Sequence, residues 1–189
     1  MNNMLVQMLQ SILPMSEGLL EYLQQKLETR QYKSGELLLK EGQVSSFIAF
    51  IESGMVRSYY YKDGEKLTSW FMKEGDVIIS VESFFSQVPS SECIEALENV
   101  TVHAISYDDL QYCYRYYPEF NVHGRVLTEK YYVLSEERLH MLRKRTSKEK
   151  YAYLLEKHPD ILNRARLGDI ASFIGVNLET LSRIRSDKA

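Results

Sequence analysis

Cysteine is scarce in this sequence: two residues in 189, Cys93 and Cys113, at neither metal-ligand nor C-x-x-C spacing. With no export signal in view, the expectation is two reduced thiols in a cytoplasmic protein rather than a disulfide framework. Histidine is nearly as sparse. His103, His123, His140 and His158 are scattered and complete no ligand set, so neither a metal nor a cofactor is expected. No apolar run approaches the roughly 18 residues that a membrane-spanning helix needs, which excludes a membrane partner of that kind. The start, "MNNMLVQMLQSILPMSEGLL", lacks a basic leader and repeats its apolar residues at helical spacing, which predicts a surface helix and not a signal peptide. A nucleophile elbow, a P-loop and metal-spaced carboxylates are all missing, so the chain is not expected to be an enzyme.

What remains is an ordinary globular composition, 44% hydrophobic and 26% charged, long enough for one large domain or two small ones. Its charge is unevenly placed. Residues 1–137 hold 11 Lys and Arg against 20 Asp and Glu, a balance of −9, whereas residues 138–189 hold 12 against 6, a balance of +6. An acidic body with a basic end fits a C-terminal segment that meets a polyanion, and equally fits a solvated basic face.

Glycines punctuate the middle of the chain in "KSGEL", "KEGQV", "ESGMV", "KDGEK" and "KEGDV". Between them lie short β-branched and aromatic stretches such as "FIAFI", "MVRSYYY" and "LTSWFM", and "VTVHAIS" follows at residues 100–106. Turn signals at this interval predict a β sandwich, jelly roll or barrel, with Asp63-Gly64 as a type I′ hairpin turn. From Tyr107 the pattern becomes helical: a short helix broken near Pro118, then a long one through "EFNVHGRVLTEKYYVLSEERLHMLRKR". There Leu127, Tyr131, Leu134 and Met141 approximate a heptad, interrupted by Arg138, which suits either a twin helix or the chain's own β domain. "SKEKYAYLLEKHP" is a further amphipathic helix ended near Pro159.

The stretch "LGDIASFIGVNLETLSRIR" meets the steric demands of a helix-turn-helix. Ala171 is small where the second helix must cross, Gly175 tolerates a left-handed turn, and Ile170, Ile174, Val176, Leu181 and Ile184 point into the angle between the helices. Asn177 is an N-cap able to reach the Thr180 N–H. The outer face then shows Glu179, Thr180, Ser182, Arg183 and Arg185, groups that hydrogen-bond to base edges and phosphates in a major groove. With Asn177 these are the candidate DNA-binding residues.

In its order of parts the chain resembles the Crp/Fnr family of bacterial transcription regulators, from about Arg30 to Arg185. "YKSGELLLKEGQ" and "FIAFIESGMVRSYYYKDGEKLTSWFMKEGD" look like that family's roll strands, and "LETLSRIR" is similar to its recognition helix. The resemblance implies an α+β fold in three parts. Residues 1–117 would form an N-terminal helix and a β-roll or jelly roll of the cyclic-nucleotide-binding kind, residues 118–144 a long connecting or dimerisation helix, and residues 145–189 a small helix-turn-helix domain. It also implies a homodimeric, sequence-specific DNA-binding transcription regulator acting on a palindromic promoter operator, with RNA polymerase as a further partner. Glu179, Thr180 and Arg183 would then face bases or phosphates, while Leu178 stands where many members carry a polar or basic contact.

The departures concern the effector. Members that bind cyclic AMP carry a Gly-Glu pair and, about ten residues later, an Arg followed by Ser or Thr. Here Ile79-Ser80 fall at the first pair and Ser90-Ser91 at the second, and no Arg or Lys lies between Lys73 and Arg115. Leu134-Ser135 stand where those members place a hydroxyl pair for the adenine. A phosphate there would lack its bidentate, charge-assisted partner and would meet Glu82, Glu92, Glu95 and Glu98. These six positions are therefore a degenerate ligand pocket, and cyclic AMP is not expected. With no cysteine before Cys93 an iron–sulfur cluster is excluded, and haem, which could recruit only His103 or Cys93, is not expected. An unknown effector remains open: the region of Val77, Ile78, Phe84, Phe85 and Ile94 takes an apolar or neutral ligand or is filled by its own side chains. The sequence stops four residues after Arg185, short of the family's β-hairpin wing, so phosphate contacts are expected from "RLHMLRKRTSKEK" and from Arg164 and Arg166. The alternative reading is a small-molecule sensor or protein-interaction module of the same fold that has lost DNA binding.

Overall fold

The computed structural model describes residues 4–186. Two helices, α1 (Met4–Ile12) and α2 (Glu17–Lys26), lead into eight strands interrupted by one short helix. The strands are β1 (Glu28–Tyr32), β2 (Leu37–Leu39), β3 (Phe47–Ser53), β4 (Val56–Lys62), β5 (Glu65–Met72), β6 (Val77–Ile78), β7 (Cys93–Ala96) and β8 (Val100–Ser106), with α3 (Val81–Ser86) between β6 and β7. Six helices complete the chain: α4 (Tyr107–Tyr116), α5 (Phe120–Lys144), α6 (Ser147–Lys157), α7 (Ile161–Arg164), α8 (Leu167–Phe173) and α9 (Leu178–Ser186). No helix among the described residues is long and apolar enough to cross a membrane.

The strands form two antiparallel four-stranded sheets, ordered β1-β8-β3-β6 and β2-β7-β4-β5. Side chains alternate across a strand, and β3 uses both faces. Ala49 and Ile51 enter the core between the sheets with Val102 and Ala104 of β8, while Ile48 and Phe50 enter a second layer with Leu9, Leu19 and Leu23 of the N-terminal helices. That layer continues through Leu110, Cys113 and Phe120, so α1, α2, α4 and the start of α5 cover the outer face of the first sheet. Asp63 and Gly64 close the β4–β5 hairpin with φ of 53° and 82°, between the paired residues Lys62 and Glu65. This is the backbone a two-residue I′ turn requires.

A third core holds the C-terminal helices, and it is not theirs alone. Met141 of α5, Tyr151 and Leu154 of α6, Ile161, Ile170, Phe173, Ile174, Leu181 and Ile184 pack together with Met55 and Phe71 of the roll. Thr146 opens α6 with a reciprocal capping box to Glu149, which fixes where the chain leaves α5. The heptad residues of α5 face the chain's own body. Leu127 packs on the N-terminal layer, the Tyr131 hydroxyl accepts the Val77 N–H at 2.7 Å, and Met141 is buried. The apolar residues that α5 leaves exposed are Tyr132, Val133 and Leu139, at 67%, 55% and 36%. A twin helix would therefore meet a different stripe from the one the heptad spacing suggests.

Candidate functional site

Helices α8 and α9 cross through the turn at 174–177. Ala171 is 2% exposed at the crossing, Gly175 takes φ 64°, and Ile170, Ile174, Leu181 and Ile184 are buried in the angle. The positive φ at 175 selects glycine there, and a Cβ at Gly175 would also come within 3.2 Å of the Leu142 side chain, which would have to shift slightly. The Asn177 Oδ1 accepts the Thr180 N–H at 2.7 Å, a cap on the first turn of α9. Beyond the cap, Glu179, Ser182, Arg183 and Arg185 are exposed and Thr180 is half-buried. Among the described residues no carboxylate pairs with Arg183 or Arg185, so that face offers uncommitted guanidinium donors to an outside acceptor.

The opposite side of the same unit is tied to the roll. The Arg57 guanidinium, itself buried, donates through Nε and one terminal nitrogen to Glu95 at 3.0 and 2.8 Å, and through the other to Thr68 and Asp169. The Thr68 N–H donates to the Ser172 hydroxyl at 2.8 Å, and Phe71 meets Phe173 edge-on at 5.1 Å. Arg164 reaches Glu74 and Glu98 of the roll and Asp160 of its own unit, while Lys73 pairs with Asp160 at 2.6 Å. These hydrogen bonds raise the Arg164 pKa, and the one from Arg164 holds the Glu74 carboxyl below its ordinary range. Asp160 is likewise lowered, burial opposing but the Lys73 and Arg164 bonds prevailing.

Arg164 is thus committed to the roll and not to phosphates, and Arg138 is half-buried against Phe173. Arg143, Lys144, Arg145 and Arg166 remain exposed. Arg57 and Asp169 escaped the sequence reading, where a lone arginine inside the apolar strand "MVRSYYY" was the one available signal. Arg138, read there as the break in the heptad and the start of the basic run, turns toward Phe173 instead.

The degenerate ligand pocket divides into two openings. Ser80 and Ser91 line an open cleft with Glu41, Glu82 and Glu92. Ile79 and Ser135 line an adjoining recess with Ser58, Ser69, Trp70 and Tyr131. Ser90 is buried behind them, its hydroxyl 3.1 Å from that of Ser80 and donating to the Glu92 carbonyl, and Ser135 donates to the Tyr131 carbonyl within α5. Leu134 turns away and lines a separate cleft toward the C-terminal helices. The structure thus brings five of the six positions together and leaves Leu134 out.

Among the described residues no cation lines either opening. Of the apolar set, Ile78, Ile94 and Phe84 are core residues, whereas Val77 and Phe85 border a cavity of about 270 Å³ between α3, α4 and α5. His103 lies in the first sheet with Nδ1 3.2 Å from the Thr29 hydroxyl, and Cys93 is buried and accepts the Glu41 N–H. Among the described residues no cluster of three His, Cys, Asp or Glu side chains is placed to hold a metal ion.

Comparison with known proteins places this geometry. Residues 29–117 match the cyclic nucleotide-binding domain family. Among solved structures, FixK2 from Bradyrhizobium japonicum superposes with a TM-score of 0.69 at 22% identity, over 85% of this chain and 83% of that one. A CooA variant from Carboxydothermus hydrogenoformans gives 0.69 at 16%, over 95% and 83%. The c-di-GMP-responsive global regulator CLP of Xanthomonas campestris gives 0.67 at 15%, over 92% and 91%. A search of curated proteins by sequence found no match. Over residues 29–117 the chain is thus similar to the cyclic nucleotide-binding domain family, and with its C-terminal helices it has the α+β fold seen in the Crp/Fnr-type regulators.

Proposed function

We propose that this protein is a sequence-specific DNA-binding transcription regulator, not an enzyme, that works as a homodimer in the cytoplasm and does not respond to cyclic AMP. One observation carries the reading: α9 presents Asn177, Glu179, Ser182, Arg183 and Arg185 on one exposed face, with no carboxylate among the described residues on either arginine. A helix so armed fits a major groove, where arginine pairs bidentately with guanine. One such module makes few contacts, so two copies would set two reading helices about 34–36 Å apart on a palindromic site. The exposed stripe of Tyr132, Val133 and Leu139 on α5 is the surface for that pairing. The cyclic AMP part rests on there being no cation among the described residues that line the roll pocket beside Glu41, Glu82 and Glu92.

Fluorescence anisotropy against DNA from upstream of the protein's own gene, across salt and with or without cyclic AMP, tests this. Binding should fall steeply with salt, because neutralised phosphates release counterions, and should ignore cyclic AMP. Replacing Arg183 with Ala should weaken it about tenfold or more. Salt-insensitive binding, or none, would favour the sensor or protein-interaction reading.

A further inference from the structure

The cleft that Leu134 lines lies between the roll and the C-terminal helices, and its chemistry is the reverse of the roll pocket's. It has a volume of about 270 Å³ and is bordered by Trp70, Phe71, Tyr131, Leu134 and Phe173. Among the described residues, the cations Lys73, Lys130, Arg138 and Lys157 line it against one carboxylate, Asp76. Lys73 is taken by Asp160 at 2.6 Å, and Lys157 lies a loose 3.9 Å from Glu156. Among the described residues Lys130 meets only the Tyr131 ring, at 5.3 Å.

Arg138 is the unusual member. Its guanidinium lies 4.1 Å from the Phe173 ring and 5.7 Å from the Trp70 ring, and one terminal nitrogen donates to the Phe173 carbonyl at 3.0 Å. Among the described residues no carboxylate meets it, so most of its five donors have no protein acceptor. Burial lowers its pKa to about 10, with Tyr60 and Tyr153 opposing only in part. A half-buried cation that no carboxylate meets among the described residues is costly to keep, and an apolar cleft beside it has the form of a ligand site with a polar anchor.

We propose that this interdomain cleft binds a small aromatic carboxylate, its carboxylate on the Arg138 guanidinium and its ring against Trp70, Tyr131 and Leu134. The planar fork of arginine matches a carboxylate bidentately, and Lys130 adds long-range attraction at the mouth. The site stands apart from any DNA reading. Its consequence for regulation does rest on that reading: Arg138 also holds the last carbonyl of α8, so a ligand on it bears on the helix that precedes the recognition turn.

Trp70 is the sole tryptophan, so its fluorescence reads occupancy directly in the full-length protein. Benzoate should change it saturably with a Kd of about 1 mM or below. Benzamide, the neutral isostere, should bind at least about tenfold more weakly, as should benzoate to Arg138→Gln. Arg138→Lys should fall between, keeping the charge and losing the fork. Because Arg138→Gln also removes a bond to α8, Lys130→Gln is the milder check: this exposed lysine leaves the fold alone and should cost about twofold to threefold in affinity.

Equal affinity for benzoate and benzamide, or no saturable response to benzoate, would overturn the proposal. So would tighter binding of phenyl phosphate, which would reassign the anion, or a loss on Glu82→Gln as large as that on Arg138→Gln, which would move the ligand to the roll pocket. Since this readout needs no DNA, failure of α9 as a reader leaves it intact. Saturable benzoate binding without any change in DNA affinity would keep the site and remove the coupling.

Discussion

Two faces of the C-terminal unit carry arginines of similar sequence context and opposite fates. On the face toward the roll, Arg164 bonds Glu74, Glu98 and Asp160, and Arg57 reaches across from β4 to Asp169. On the face toward solvent, Arg183 and Arg185 are exposed without such partners among the described residues. The net charge of +6 over residues 138–189 therefore overstates what is offered to a polyanion. Part of it is neutralised by the roll's acidic turns. A charge count reports composition, and only packing decides which charges remain available.

The largest expected effect breaks the inner face at its apolar centre. Phe173 is 5% exposed and packs edge-on against Phe71 and His158. Phe173→Ala should destabilise the protein by about 3–5 kcal/mol, read from urea unfolding. It should also weaken DNA binding, although Phe173 lies outside the proposed recognition face. A loss below about 1 kcal/mol would mean that the two units are held together mainly by charge.

The next test exchanges the two faces. Arg183→Ala should cost about 1–3 kcal/mol of DNA binding while leaving stability within about 0.5 kcal/mol. Arg164→Ala should do the reverse, losing about 1–2 kcal/mol of stability. That figure is modest because its carboxylate partners keep about a third of their side-chain surface in water. If Arg164→Ala lowered DNA affinity and left unfolding unchanged, the assignment of the faces would be inverted.

The pH response should also belong to the inner face. His158 is lowered from its ordinary pKa by burial first and then by Lys73, with Arg138 adding repulsion and Asp76 and Asp160 opposing. A depressed histidine binds more protons unfolded than folded, so its contribution is complete above the ordinary histidine pKa. It is lost as pH falls from there through the folded value. Unfolding free energy should thus decline from neutral pH into the mildly acidic range, and His158→Gln should flatten that slope. A slope that persists in His158→Gln would assign the response to other groups.

What the sequence made legible was local. The φ > 0 turn at Asp63-Gly64, the alternation in "FIAFI" and the packing set around Ala171 and Gly175 each depend on neighbours within a few residues. The contacts that fix the units relative to one another do not. Arg57 and Asp169 are 112 positions apart, and nothing near either predicts the other. The heptad of α5 shows the intermediate case: its spacing marked an apolar stripe correctly, but Leu127 and Met141 serve two different cores of the same chain. Which surface such a stripe meets is settled by tertiary packing. The six pocket positions divide in the same way. Five converge near the roll, while Leu134, adjacent in sequence to Ser135, lies on the neighbouring side of α5 and borders the cationic cleft.

The smallest expected effect is the sharpest, because Asn177 both caps α9 and borders its exposed face. Its Oδ1 is spent on the Thr180 N–H, which leaves the Nδ2 amide for an outside partner. Serine caps a helix about as well as asparagine, whereas alanine does not and typically costs about 1 kcal/mol. Asn177→Ser should therefore leave stability unchanged to within a few tenths of a kcal/mol, and Asn177→Ala should lower it by about 1 kcal/mol. If DNA affinity follows the cap, Ser should bind like the wild type and Ala should bind more weakly, and the residue acts only by ordering α9. If both variants lose affinity alike, the amide itself contacts DNA and the reading face begins at the cap. Measuring unfolding and anisotropy on the same two variants separates these roles, because the Ser variant retains the ordering of α9 and lacks the amide.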